Sequence, residues 1–120
     1  MKNILVVDDN TVNLKLLSLI IAQEGYDVSI AKDASMAFDI INQKTPDLIL
    51  LDINMPDING YEMCSKIKEN PSTKDIPVIF VSALSDVEDK MKALNAGGVG
   101  YITKPFNADE VKMQIATWIN

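Results

Sequence analysis

The chain of 120 residues carries 11 basic and 17 acidic side chains, a formal charge of −6. That length suits one domain with a single core, and the acidic balance excludes direct nucleic-acid binding and docking to an anionic membrane through a basic patch. Histidine is absent and Cys64 is the one cysteine, so imidazole acid–base catalysis, an intrachain disulfide and the usual zinc sites are excluded too.

Along the chain, short apolar runs alternate with longer stretches of helical period. The first run, Ile4-Leu5-Val6-Val7, is followed by Asp8-Asp9-Asn10. Leu14, Leu17 and Ile21 then share a helix face, and Gly25 stands where that helix stops. Val28-Ser29-Ile30 reads as a second strand, and Ala34, Ala37, Phe38 and Ile41 as the face of a second helix. Leu48-Ile49-Leu50-Leu51 comes third and leads into Asp52-Ile53-Asn54. Met63, Cys64 and Ile67 mark a third helix, with Cys64 buried and inert, and residues Asn70 to Asp75 form a turn-rich loop without assignable chemistry.

Val78-Ile79-Phe80-Val81 is the fourth run and is followed by Ser82-Ala83. Ser85 and Glu88 predict a capping box for a fourth helix whose apolar face is Val87, Met91 and Leu94, and Gly97-Gly98 marks its end. Tyr101-Ile102 is the fifth run, followed by Thr103 and Lys104-Pro105. Asn107 and Glu110 approximate a second capping box, and Val111, Ile115, Trp118 and Ile119 face the core from the last helix, with Trp118 as its anchor. The six methionines are expected as core filler. No run approaches the roughly 20 apolar residues that span a bilayer. Met1-Lys2-Asn3 lacks a cleavage-site pattern, so a cytoplasmic location is the default expectation.

The first, third and fourth runs are apolar at every position, as strands buried on both faces are. A β-α unit repeated five times, with right-handed crossovers, gives an α/β doubly wound parallel sheet covered by helices on both faces. In such a sheet the ligand crevice lies outside the carboxyl ends of the strands. The residues after the runs therefore converge: Asp8 and Asp9, Asp52, Ser82 and Lys104. Three carboxylates in one crevice repel each other, and a single lysine does not balance them. A hard divalent cation held by carboxylates, a backbone carbonyl and water, of the Mg²⁺ kind, completes the charge. That arrangement suits phosphoryl transfer with an aspartate as acceptor.

Val7-Asp8-Asp9-Asn10, the stretch Asp52-Ile53-Asn54-Met55-Pro56-Asp57-Ile58-Asn59-Gly60, Ser82-Ala83 and Lys104-Pro105-Phe106 together resemble the receiver domain of bacterial response regulators in two-component signalling. The resemblance covers residues 1–120 as a single receiver domain and implies a flavodoxin-like three-layer sandwich with five strands in the order 2-1-3-4-5. It implies Asp52 as phosphoacceptor, and Asp8, Asp9, Asp52 and the Asn54 backbone carbonyl as ligands of Mg²⁺, with Mn²⁺ as a substitute. Ser82 is then the switch hydroxyl, Tyr101 the switch aromatic, and Lys104 the partner of the phosphoryl group through a cis bond to Pro105. Pro56 and Gly60 shape the loop after the acceptor.

The implied partners are a sensor histidine kinase or histidine phosphotransfer protein and an effector bound through the fourth helix, fifth strand and fifth helix. The chain is then a monomer or a phosphorylation-dependent dimer. It is a switch that assists its own phosphorylation and dephosphorylation, not an enzyme. The pattern ends at the fifth helix, so a stand-alone regulator and a receiver from a hybrid kinase or larger regulator both remain open. Gly97-Gly98-Val99-Gly100 is richer in glycine than the family pattern and is expected to loosen that segment. Two other readings compete. One is a pseudo-receiver that binds partners without phosphorylation. The other is a haloacid-dehalogenase-like phosphohydrolase, whose nucleophile follows the first strand in a D-x-D pattern that Asp8-Asp9-Asn10 does not match. A dinucleotide-binding unit is excluded, because no G-x-G-x-x-G follows the first run.

Overall fold

Strand and helix alternate throughout residues 1–119, which the computed structural model describes. The elements are β1 (Asn3–Val7), α1 (Thr11–Gln23), β2 (Asp27–Ala31), α2 (Ala34–Gln43), β3 (Leu48–Leu51), α3 (Gly60–Glu69), β4 (Val78–Ser82), α4 (Val87–Asn95), β5 (Gly100–Thr103) and α5 (Ala108–Trp118). All strand pairs are parallel, and the order is β2-β1-β3-β4-β5, the expected doubly wound arrangement. The strands that are apolar at every position, β1, β3 and β4, are the central ones and are buried along their whole length. The edge strands β2 and β5 are only partly buried, which explains their mixed sequences.

The two-residue period of the strands divides the core between the sheet's faces. Leu5, Val7, Ile49, Leu51, Val78 and Phe80 pack under α2, α3 and α4. Ile4, Val6, Leu48, Leu50, Ile79 and Val81 pack under α1 and α5. Leu14, Leu17 and Ile21 on α1, Met63, Cys64 and Ile67 on α3, and Val111, Ile115 and Ile119 at α5 are buried as their spacing predicts. Asn10, Asp33, Asn59 and Asn107 cap α1, α2, α3 and α5 by accepting first-turn N–H bonds, each contributing about 1 kcal/mol.

Four expectations are corrected. Val87, Met91 and Leu94 do not face the core; they are 74%, 56% and 66% exposed, and Ala93 is the buried residue of α4. Ala93 packs in the same core cluster as the Phe80 ring. The same ring accounts for Gly98. A Cβ there would lie 2.7 Å from the ring edge and 3.1 Å from the Ala93 carbonyl, so this glycine serves a close approach. Ser85 is not the cap of α4; the helix starts after Asp86, which makes no side-chain cap bond. Trp118 is 41% exposed, and Ile119 makes the buried contact in its place. Of the methionines, only Met63 is fully buried, while Met1, Met36, Met91 and Met113 are exposed.

Candidate functional site

Parallel register sets the site. Val7 pairs with Leu51, so Asp8 and Asp52 leave adjacent strands at the same level. The Asp52 N–H donates to the Val7 carbonyl at 2.9 Å, and the Asp8 N–H to that of Ala31 at 3.1 Å. On the other side of β3, Ser82 pairs with Thr103, and the Lys104 N–H donates to the Ser82 carbonyl at 2.8 Å, so both side chains start at the same edge. The peptide between Lys104 and Pro105 is cis, as the resemblance implies.

The side chains meet as expected. Carboxylate oxygens of Asp8, Asp9 and Asp52 all lie within 4.8 Å of one another; Asp8 and Asp52 are buried and Asp9 is exposed at the mouth. Lys104 Nζ stands 2.9 Å from Asp8 Oδ2 and 3.6 Å from Asp52 Oδ1. Asp52 Oδ1 also accepts from the Ile53 N–H at 2.8 Å, and Asp8 Oδ1 from the Asn10 N–H at 2.9 Å.

One ammonium is not enough for this cluster. Burial first, and the Asp8 charge next, push the Asp52 carboxyl up to about 6, against the lowering pull of Lys104 and the Ile53 N–H. The donor set is all oxygen and carries surplus negative charge, which fits a hard divalent cation. The Asn54 backbone carbonyl accepts no hydrogen bond among the described residues, so it is available to such an ion.

Ser82 is fully buried, and its Oγ accepts from the Leu84 N–H at 3.2 Å. The Tyr101 hydroxyl donates to the Leu84 carbonyl at 2.5 Å, so Ser82 and Tyr101 hold the two sides of one residue. Burial raises the Tyr101 phenol above its usual value. Its ring stacks on Phe80 at 6.5 Å, and Phe80 contacts Tyr61 at 5.6 Å. At the acceptor, Gly60 lies directly on the strand end: a Cβ there would sit 2.3 Å from the Asp52 carbonyl oxygen. Two residues gained no role from the sequence. Asp57 accepts three backbone N–H bonds, and the Tyr61 hydroxyl donates to the Asp89 carbonyl at 3.3 Å. Asp57 is signalled locally only as a turn residue after proline, and its long-range partners have no sequence signature.

Residues 4–116 match the response regulator receiver domain. RpaA of Synechocystis sp., named a DNA-binding dual master transcriptional regulator, is 34% identical over 115 residues, covering 96% of this chain and 48% of that protein. A CheY-like response regulator receiver domain protein from Methanospirillum hungatei has a similar crystal structure. It is 33% identical, with a TM-score of 0.89, covering 98% of this chain and 92% of the other. The Mn²⁺-bound form of response regulator Rcp1 gives a TM-score of 0.87 at 26% identity, covering 100% of this chain and 96% of the other. The chain therefore belongs to the response regulator receiver domain family, a family of signalling switches in two-component systems. It spans between 23% and 51% of the length of the curated relatives it matches. No described helix is long and apolar enough to cross a membrane.

Proposed function

We propose that the chain is one receiver domain that takes a phosphoryl group from a phosphohistidine onto Asp52. One observation carries this reading: carboxylates of Asp8, Asp9 and Asp52 converge within 4.8 Å, with Lys104 against two of them. The Ile53 N–H and Lys104 both approach Asp52 Oδ1, which leaves Oδ2 as the attacking oxygen. In the transfer, the new O–P bond forms as the P–N bond breaks, and the imidazole leaves with that bond's electron pair. Catalysis is then mainly positioning and charge neutralisation. Lys104 pairs with one phosphoryl oxygen and the Ser82 hydroxyl donates to another. Asp8, Asp9, Asp52 and the Asn54 carbonyl would hold Mg²⁺ or Mn²⁺, which supplies the remaining neutralising charge. The chain assists its own phosphorylation and hydrolysis in this reading and remains a switch.

The switch runs through Leu84. A phosphoryl group that draws Ser82 toward Asp52 loosens the Ser82–Leu84 bond and with it the seat of the Tyr101 hydroxyl. Because α4 shows Val87, Met91 and Leu94 to solvent, a change there alters an apolar surface suited to an effector. The phosphoryl donor is a sensor histidine kinase or a histidine phosphotransfer protein. Beryllofluoride with Mg²⁺, as a phosphoryl mimic, tests the reading by amide chemical shifts. Shifts at Asp52, Ser82 and across residues 84 to 119 are expected. A spectrum unmoved over residues 84 to 119 contradicts the switch, and an unmoved Asp52 contradicts the site.

A further inference from the structure

We propose that Asp57 is a positioning residue for the metal and phosphoryl site, acting as a clamp between the loop after β3 and the first turn of α2; this rests on the phosphoacceptor reading above. Asp57 Oδ1 accepts from the Ala34 N–H at 3.1 Å and from the Ile58 N–H at 2.9 Å, and Oδ2 accepts from the Ser35 N–H at 2.9 Å. Ala34 and Ser35 are the first two residues of α2. Their N–H groups lack helical partners by geometry. Asp33 already serves the next two positions, its side chain accepting from the Met36 N–H at 2.7 Å and its carbonyl from the Ala37 N–H at 3.1 Å. Two acidic side chains from different parts of the chain thus complete one helix start.

The consequence for the site lies in what else holds the loop. Its base is closed by the Gly60 N–H donating to the Ile53 carbonyl at 2.7 Å. Between these points, residues 54 to 56 make no hydrogen bond among the described residues. The hydrogen bonds that fix the stretch carrying the Asn54 carbonyl, assigned above to the metal, therefore lie at Asp52–Ile53 on one side and at Asp57 on the other, with Met55 packed against the core between them. Desolvation works to raise the Asp57 carboxyl, but N–H donors from Ser35, Ala34 and Ile58 outweigh it and hold the group below its ordinary value. The clamp is thus made by the ionised form.

The test compares Asp57→Ala and Asp57→Asn with wild type, measuring Mg²⁺ affinity calorimetrically and the Mg²⁺ dependence of labelling by acetyl phosphate. Asparagine has no charge but keeps one acceptor oxygen, Oδ1, for Ala34 and Ile58. The expected result is Mg²⁺ affinity weakened roughly tenfold in Asp57→Ala, the scale of losing an outer-shell partner, and only a few-fold in Asp57→Asn. At saturating Mg²⁺ the labelling rate of both variants should return to that of wild type, which loss of folded protein alone would not produce. Equal weakening in both variants would assign the effect to long-range charge and overturn the clamp. So would unchanged Mg²⁺ affinity in either variant once the Ser35 amide shift shows its bond broken. If Asp57→Ala does not fold, Asp57→Asn decides on the same two readouts. A wild-type chain that neither binds Mg²⁺ nor accepts a phosphoryl group refutes the phosphoacceptor reading itself and is distinguishable from all of these.

Discussion

Lys104 Nζ lies 2.9 Å from Asp8 Oδ2 although 96 residues separate them, and it is the one cation within salt-bridge distance of the acidic cluster among the described residues. The pair is mostly shielded from water, with side-chain exposures of 17% and 2%. Removing one partner of such a pair leaves an uncompensated buried charge. Lys104→Ala should therefore lower metal-free stability at neutral pH by about 2 kcal/mol, below the fully buried range because the lysine keeps some water contact. Urea unfolding checks this, and an unchanged midpoint would mean that the contact contributes nothing.

Asp52 gives a pH-dependent test. Its folded-state value of about 6 exceeds the ordinary 3.8, so between these the native state holds more protons than the unfolded chain. Stability then falls as pH rises through that window. The penalty is absent below about pH 4 and complete above about pH 7. In metal-free protein, Asp52→Asn should be more stable than wild type by roughly 3 kcal/mol at pH 7.5, from a rise of about two pKa units, and should lose that advantage at pH 4. Equal differences at both pH values would remove the electrostatic account.

Metal binding should divide along the same residues. Asp8→Asn and Asp9→Asn are each expected to weaken Mg²⁺ binding by at least about tenfold while leaving the fold intact. Calorimetric titration and circular dichroism check the two halves. Wild-type affinity in both variants would contradict the metal assignment.

Gly60 makes a steric prediction. The atoms that a Cβ would meet are backbone, the Asp52 carbonyl oxygen at 2.3 Å and Ile53 Cα at 2.9 Å, so no side-chain rotation relieves the clash. Gly60→Ala should cost about 3 kcal/mol or more. Gly25→Ala, with open space but a φ of 86°, should cost only about 1–2 kcal/mol. Thermal unfolding of the two variants separates the mechanisms, and a Gly60→Ala protein as stable as wild type would refute the contact.

Much of this was legible in the sequence because burial on both faces leaves a plain signature. Leu48-Ile49-Leu50-Leu51 admits no polar position, which marks a central parallel strand, and the crossover rule then fixes where Asp52 emerges. The site followed from strand ends alone, since parallel register levels them. What stayed hidden depended on helix orientation and long-range bonding. Val87, Met91 and Leu94 have core-like spacing, yet they face solvent while Ala93 is buried, because periodicity reports a face without saying which way it turns. Asp57 reads as a turn residue, and its reach of 22 and 23 residues to Ser35 and Ala34 is a product of the fold.

The central claim is that Asp52 accepts a phosphoryl group with help from a divalent cation. The most direct measurement is the intact mass of the protein after incubation with acetyl phosphate and Mg²⁺, alongside Asp52→Asn and a metal-free sample. The account predicts one phosphoryl adduct on the wild type and none in either control. An adduct that persists in Asp52→Asn, or no adduct together with no binding of beryllofluoride, would contradict it.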